Sequence, residues 1–312
     1  MDLTALRDTP PWDWPGDAGR QFRKLLNNPK ADPAERLLAA ELAGDLTVMD
    51  NDLANVLLAV LRNKEESEEI RASAAIAFGP ALEMASMEFD EDLEEFDDPE
   101  AVPISVGQFH TVQETLRRVY DDPANPKLVR RRVFEGSVRA PEPWHEGAIR
   151  EAYASGDPEW MLTAVFAMDY IEGFEKETLE ALESTDPEIH YAAVVAAGSK
   201  ALDAAWPHIF ALAKDEGTEK DLRMAAIEAI GSIRPAEAQE LLHELAVSDD
   251  EDLAAAADEA LSFMGDPEDF EDEDEDDEDE DDEDDEDEDE DEEDEEDDEE
   301  EEEDEADEKK PS

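Results

Sequence analysis

A short pattern recurs along the first 265 residues, and it constrains the fold more than any other feature of the sequence. Four copies centre on a basic residue or a histidine: Arg36, Arg71, His190 and Arg223. In each copy an alanine follows three residues later and a glycine follows eight residues later. Weaker copies centre on positions 130, 161 and 254, so the last five copies lie 29 to 33 residues apart. A repeat of this period predicts a row of similar units, each packed against its neighbours.

Each copy has the signals of a helical hairpin. The first helix is expected to begin at an Asp-Pro pair such as those at positions 32, 157 and 186, because the aspartate accepts free amide hydrogens and proline fits the first turn. Second helices are expected at 143–154, 174–182, 205–214 and 235–247, where apolar residues recur at helical spacing. The repeated alanine lets a neighbouring helix approach, and the glycine is expected to end the first helix in a left-handed conformation.

This pattern of Asp-Pro, aliphatic residue, Arg, Ala and Gly resembles the short HEAT repeats of bacterial proteins, a type also found in phycobilisome-lyase-like proteins. The resemblance covers roughly residues 29–264, as six hairpins and a final single helix. It implies an all-α fold, a right-handed α-α superhelix of the HEAT/armadillo-like solenoid class. It does not place a lyase active site on particular residues, because no motif of this chain carries one.

Three regions follow from the repeat and the composition. Residues 1–28 are predicted to form an N-terminal arm and capping segment. Residues 29–265 are predicted to form the repeat domain, with an acidic insertion at about 86–104. Residues 266–312 are predicted to be a disordered polyacidic tail, because like charges repel and almost no apolar surface offsets the entropy of ordering.

Charge restricts the partners. The net charge is −71, and the stretch 266–308 holds 40 acidic residues and no basic residue. Residues 1–265 are also acidic, with 56 acidic and 23 basic residues. Free nucleic acid and anionic membranes would be repelled, so neither is expected as a direct partner. The tail has three candidate roles: solubility, competition with nucleic acid for basic proteins, and screening of a basic part of the chain.

That basic part is the segment 117–150, the one net-basic stretch of the sequence. Two interpretations remain open for it, ordinary ion pairs between repeats and a docking site for the acidic tail or another anionic partner. The candidate tail-docking residues are Arg117, Arg118, Arg131, Arg132 and Arg139.

The N-terminal arm contains the proline-flanked pair Trp12 and Trp14. One interpretation is that both rings fold back and cover the apolar end of the first repeat, as a solenoid end requires. The other is that they form an exposed aromatic anchor for a partner.

Motifs of chemistry are absent from the sequence. There is no cysteine, the five histidines lack the spacing of a helical zinc site, and no phosphate-binding or nucleophile-elbow motif occurs. The prediction is therefore that the chain is not an enzyme, with no catalytic, cofactor-binding or metal-binding residue and no cofactor. Lyase activity, by analogy with the repeat family, is the second alternative function.

The function predicted first is a protein-interaction scaffold or adaptor. In such solenoids the second helices line an extended surface, which gives the candidate partner-binding residues Trp144, Glu146, Arg150, His208, Lys214, Gln239 and His243. The first alternative is a chaperone-like or nucleic-acid-mimicking protein that binds basic proteins through its acidic tail. The predicted partner is therefore a protein, and in the first alternative it is a basic protein. A cytoplasmic monomer is predicted, because neither a signal peptide nor a membrane span is recognisable.

Overall fold

The structure is a computed structural model that describes residues 2–88 and 102–264. These residues form sixteen α-helices and no β-strand, which confirms the predicted all-α class. The first eight helices are α1 (Leu3–Arg7), α2 (Ala18–Leu26), α3 (Pro33–Leu42), α4 (Asn51–Arg62), α5 (Glu68–Ile76), α6 (Gly79–Glu88), α7 (Val106–Asp121) and α8 (Lys127–Ser137). The other eight are α9 (Pro143–Ala154), α10 (Pro158–Met168), α11 (Glu175–Ala181), α12 (Pro187–Ser199), α13 (Trp206–Lys214), α14 (Lys220–Ile233), α15 (Pro235–Leu245) and α16 (Glu251–Phe263).

The helices form two rows, as the repeat predicts. The first helices of the hairpins are α3, α5, α8, α10, α12, α14 and α16, and each contacts the next member of its row. The second helices are α4, α7, α9, α11, α13 and α15, and each packs against the first helix that follows it. Helix α6 is an addition within the second hairpin, next to the predicted acidic insertion. Most of that insertion and the whole predicted tail lie outside the described residues.

Local capping explains where the first helices begin. The side chain of Asp32 accepts a hydrogen bond from the amide of Ala34 at 2.8 Å, and Asp157 accepts one from Glu159 at 3.0 Å. Asp186 caps α12 in the same way. In each case proline is the first helical residue, which confirms the predicted starts.

The repeated arginine joins consecutive hairpins. In four repeats its guanidinium donates a hydrogen bond to a backbone carbonyl ten residues earlier, at the C-terminal end of the preceding helix. The four bonds are Arg36 to Leu26 at 3.0 Å, Arg71 to Leu61 at 2.9 Å, Arg130 to Tyr120 at 2.8 Å and Arg223 to Ala213 at 3.0 Å. The last carbonyls of a helix have no partner within it, and a positive charge there also favours the helix dipole. The arginine recurs in these four repeats because the carbonyls at the preceding helix ends need a partner.

The repeated glycine has a different role from the one predicted. None of the four repeat glycines has a positive φ, so the prediction of a left-handed helix end is wrong. A Cβ atom on Gly198 would lie 2.6 Å from the Cβ of Ala229 in the next first helix. A Cβ on Gly231 would lie 3.2 Å from that of Ala260, one hairpin further on. These glycines therefore let neighbouring first helices approach closely.

The two tryptophans of the N-terminal arm lie in different environments. The indole of Trp14 donates hydrogen bonds to the carbonyls of Leu6 and Thr9, at 3.0 and 2.9 Å, and its ring meets Phe22 edge-on. Trp14 thus packs within the arm, against the end of α1 and against α2. Trp12 lies in a short 3-10 helix, Pro11–Asp13, and is 79% exposed.

Candidate binding groove

A groove of about 780 Å³ crosses the surface of α5, α8, α10 and α12 and reaches the start of α14. It is called the first-helix groove below. Its apolar floor consists of Leu162 and Phe166 from α10 together with Tyr191, Ala192 and Val195 from α12. Its remaining lining is mostly charged, and the charges differ between its two ends.

Helical spacing places the floor residues on one face. Leu162 and Phe166 are four residues apart on α10, and Tyr191 and Val195 are four residues apart on α12. The opposite faces of both helices are buried in the core. Both helices are therefore apolar on the core side and on the groove side. A surface helix ordinarily carries polar residues on its outer face, so the apolar outer faces of α10 and α12 make this groove a candidate contact surface.

Two long uncharged runs in the sequence are a signal for this surface. Between positions 160 and 168, and again between 189 and 199, no acidic residue, lysine or arginine occurs. Such long uncharged runs are unusual in a chain that is 39% charged. The predicted binding residues lie instead on the second helices.

The end of the groove near α8 is basic, and its bases are paired. Arg132 contacts the carboxylate of Glu135 at 2.5 Å, and Arg139 contacts that of Glu83 at 2.8 Å. The guanidinium carbon of Arg139 also lies 5.5 Å from the ring centre of Tyr170. Burial raises the pKa of Tyr170, with the positive charge of Arg139 acting in the opposite direction. The bases at this end are already neutralised within the chain.

A buried polar network holds α8 against α10 beneath this end. The hydroxyl of Thr163 donates to the carboxylate of Glu135 at 2.6 Å and accepts from Nε of Arg131 at 2.9 Å. All three side chains are buried, so each needs these partners. The network fixes the relative position of the two helices that carry the basic end and half of the floor.

The opposite end of the groove is acidic. Glu188 at the start of α12 and Glu219 and Asp221 at the start of α14 line it. The ring of Tyr191 lies beside them and is 43% exposed. Burial raises the pKa of the Tyr191 hydroxyl, and the negative charges of Glu228 and Asp221 raise it further. Burial is the larger cause of the raised pKa, and the two carboxylates add a negative surrounding to it.

The structure places the predicted partner-binding residues on the row of second helices. Trp144, Glu146 and Arg150 are on α9, His208 and Lys214 are on α13, and Gln239 and His243 are on α15. Glu146 and Arg150 form an ion pair at 2.5 Å, and His208 contacts His190 with 2.9 Å between their Nε2 atoms. The seven residues do not meet in one cavity of the described chain, and their binding role stays a prediction.

A buried histidine beside them was not predicted to have a role. His145 follows Trp144, is 0% exposed and stacks on Phe134. Its Nδ1 accepts a hydrogen bond from the amide of Glu142 at 2.9 Å, and its Nε2 lies 3.0 Å from the hydroxyl of Ser137. Burial, together with the positive charge of Arg117, lowers the pKa of His145 to about 3. The imidazole is therefore neutral at pH 7 and serves the packing of α9.

The candidate tail-docking arginines are divided between the two rows. Arg117 and Arg118 are on the second helix α7, and they pair with Asp121 at 3.0 Å and Glu114 at 2.6 Å. Arg131 and Arg132 are on the first helix α8, and Arg131 is only 8% exposed. Arg139 follows α8 and faces Glu83. The five residues do not form one exposed basic patch, and tail docking stays a prediction.

Within the described parts of the chain, no group of three or more histidine and acidic side chains has the arrangement of a metal site. No helix in these parts is long and apolar enough to cross a membrane.

Comparison with known proteins identifies the repeat. A family profile described as HEAT repeats matches residues 175–262, which span α11 to α16. Together with the two rows of helices, this match shows that the chain contains HEAT repeats. The finer assignment to the phycobilisome-lyase-like type stays a prediction. No curated protein matches the chain.

Among solved structures, human deoxyhypusine hydroxylase in complex with glycerol is similar. The sequence identity is 18%, the TM-score is 0.35, and the match covers 80% of this chain and 96% of that chain. By its name this similar protein is an enzyme, so the prediction of a non-enzyme, which rested on missing motifs and on the repeat, is overturned. The weak likeness transfers neither a reaction nor a residue to this chain.

Proposed function

We propose that the chain is a protein-interaction module that binds a segment of a partner protein in the first-helix groove. The observation that carries this proposal is the apolar groove face of α10 and α12, where Leu162, Phe166 and Tyr191 line an open surface. An aromatic and aliphatic floor with charged ends is the usual composition of a peptide-binding groove. The groove crosses several repeats, so an extended or helical segment fits it better than a compact ligand.

The chain's own acidic tail is a poor occupant of this groove. Two bases line the groove, Arg132 and Arg139, and five acids line it, Glu135, Asp169, Glu188, Glu219 and Asp221. A polyacidic segment would meet net repulsion there. A partner segment that is neutral or basic is favoured.

The test uses the full chain and random peptides displayed on phage. Soluble polyglutamate is added during selection, because it removes peptides that would bind any acidic chain. Binding of selected peptides is then measured by fluorescence anisotropy. Phe166→Ala is expected to weaken binding about tenfold or more, since a central aromatic contact is lost.

Two further variants keep this test decisive. Tyr191→Ala removes a partly exposed ring, so it serves if Phe166→Ala perturbs the fold by circular dichroism. Trp12→Ala removes an even more exposed ring outside the groove and should leave binding unchanged. If the selected peptides bind the two groove variants as tightly as the natural chain, the groove is not the binding surface.

The same peptides address the second-helix surface. If Arg150→Ala and Gln239→Ala weaken binding while Phe166→Ala does not, the partner binds to the row of second helices. The acidic-tail alternative predicts instead a steep dependence of binding on salt, because counterions are released from the tail.

A further inference from the structure

We infer that the acidic end of the first-helix groove takes a cationic side chain of the partner, an arginine or a lysine, against the ring of Tyr191. This inference rests on the proposed function, because it names the chemistry of the segment that the groove binds. It is carried by an exposed ring, unpaired carboxylates around it, and a pattern seen elsewhere in the same molecule.

The acidic end is assembled from two first helices. Tyr191 and Glu188 are three residues apart on α12, so both side chains lie on one face of that helix. Glu219, the N-cap residue of α14, and Asp221 in its first turn complete the end. Carboxylates from both helices thus line the same end of the groove as Tyr191.

These carboxylates have no basic partner in the described chain. Glu188, Asp221 and Glu219 form no ion pair within residues 2–88 and 102–264, although Glu219 accepts a hydrogen bond from the amide of Leu222. The bases at the opposite end, Arg132 and Arg139, are both paired. Of the four groove acids that form no ion pair in the described chain, three therefore lie at the Tyr191 end, and the fourth is Asp169.

Elsewhere in the described chain, the protein's own arginines contact an aromatic ring and a carboxylate at the same time. In each case a guanidinium lies over an aromatic ring and pairs with a carboxylate. The four cases are Arg117 with Trp144 and Asp121, Arg139 with Tyr170 and Glu83, Arg150 with Phe174 and Glu146, and Arg234 with Trp206 and Asp203. The distances from guanidinium carbon to ring centre are 4.9, 5.5, 5.2 and 5.6 Å.

Tyr191 has the ring and the carboxylates of this arrangement but no cation. No arginine or lysine of the described chain lies over its ring, and the ring is accessible. A cation supplied by a partner would complete the arrangement, with attraction to the ring face and to the carboxylates at once. Arginine suits this arrangement best, because its planar guanidinium stacks on an aromatic ring and can donate two hydrogen bonds to a carboxylate.

The probe is N-acetyl-arginine amide, and its neutral analogue N-acetyl-citrulline amide is the matched control ligand. The full chain has four tyrosines, so ring-labelled tyrosine gives a simple NMR spectrum, in which Tyr191→Phe assigns the Tyr191 signal. The arginine compound should shift the Tyr191 signal saturably, and the citrulline compound should leave it in place. Loose binding of arginine to the acidic tail would not produce a saturable shift at Tyr191.

The double variant Glu188→Gln with Asp221→Asn should raise the apparent Kd of the arginine compound about tenfold, because the two carboxylates that attract the arginine lose their charge. Glu240→Gln with Glu244→Gln, on the exposed side of α15, is the control and should change nothing. An unchanged Tyr191 signal, or equal shifts with citrulline, would overturn the inference.

These outcomes are separable from failure of the proposed function. If selected peptides bind in a Phe166-dependent way but the Tyr191 signal does not respond to the arginine compound, the groove binds a segment and the cation subsite is wrong. If no peptide depends on Phe166 while Tyr191 still responds to arginine alone, the subsite stands and segment binding fails.

Discussion

The two rows of helices come from the same hairpins, yet they offer different surfaces. First helices approach each other through glycine and alanine, as at Gly198 and Ala229, and α10 and α12 turn apolar residues outward. Second helices carry charged pairs along their exposed faces, such as Glu146 with Arg150 and Lys176 with Glu180. Close packing of small residues therefore brings first helices such as α12 and α14 together, whereas the second row presents charged helix faces.

The largest expected effect concerns the close packing of the first row. Gly198→Ala places a Cβ 2.6 Å from that of Ala229 and 2.9 Å from its Cα, so backbone must move. We expect a loss of about 2 kcal/mol in the free energy of unfolding, even though alanine favours helix more than glycine does. Urea unfolding followed by circular dichroism measures it. A variant as stable as the natural chain would show that the first row is not closely packed here.

The next effect concerns the buried histidine of the second row. The pKa of His145 is about 3 in the folded state and about 6.5 in an unfolded chain. The unfolded state therefore binds more protons between these values, so stability is complete above pH 6.5 and falls as the pH falls towards 3. The expected loss from this one group is about 2 kcal/mol at pH 5.

His145→Gln should remove that component, because glutamine does not titrate. Urea unfolding at neutral pH and at about pH 5 is compared for the natural chain and the variant, and the contribution of the carboxylates cancels between them. The exposed His243 on α15 supplies the control His243→Gln, which should keep the natural pH dependence. Identical pH dependence in all three proteins would show that His145 is accessible to protons.

A smaller effect tests the bond that connects the rows. Arg223→Met keeps the aliphatic stem but removes the hydrogen bond to the carbonyl of Ala213. The expected cost is about 1 kcal/mol. Arg118→Met removes only an exposed ion pair with Glu114, so a change of a few tenths of a kcal/mol is expected. Equal costs for the two variants would argue against a capping role of the repeat arginine.

The smallest expected effect has the opposite sign. Gly147 lies within α9, and no heavy atom would lie within 4 Å of an added Cβ beyond its own helix and neighbours. Gly147→Ala should therefore stabilise the protein by about 0.5 to 1 kcal/mol, the difference in helix propensity. Measured beside Gly198→Ala, the same substitution gives opposite signs in the two rows. Destabilisation by Gly147→Ala would remove the contrast.

The sequence was sufficient for the repeat fold because each signal is local. Asp32, Asp157 and Asp186 cap the helices that they begin, and the arginine period marks one hairpin each. The role of the glycines could not be read in the same way. Gly198 fits both a helix end and a helix contact, and only the position of Ala229 in the next repeat decides between them.

The groove was missed for a related reason. An uncharged run such as that of α10 has the same composition whether the helix is apolar on one face or on two. The packing of the neighbouring helices decides which apolar face remains exposed. The acidic end has members from α12 and α14, and their meeting depends on how the two first helices stack. Sequence spacing within one hairpin contains no such information.

The arginine bonds span only ten residues, and this has a consequence for biosynthesis. Closing a loop of about ten residues takes on the order of 10 to 100 ns, far less than the time needed to add one residue during translation. Each bond can therefore form as soon as the first helix that carries its arginine has left the ribosome, before the later hairpins exist. The order of the repeats along the chain would then also be the order in which they fold, with the acidic end of the chain emerging last.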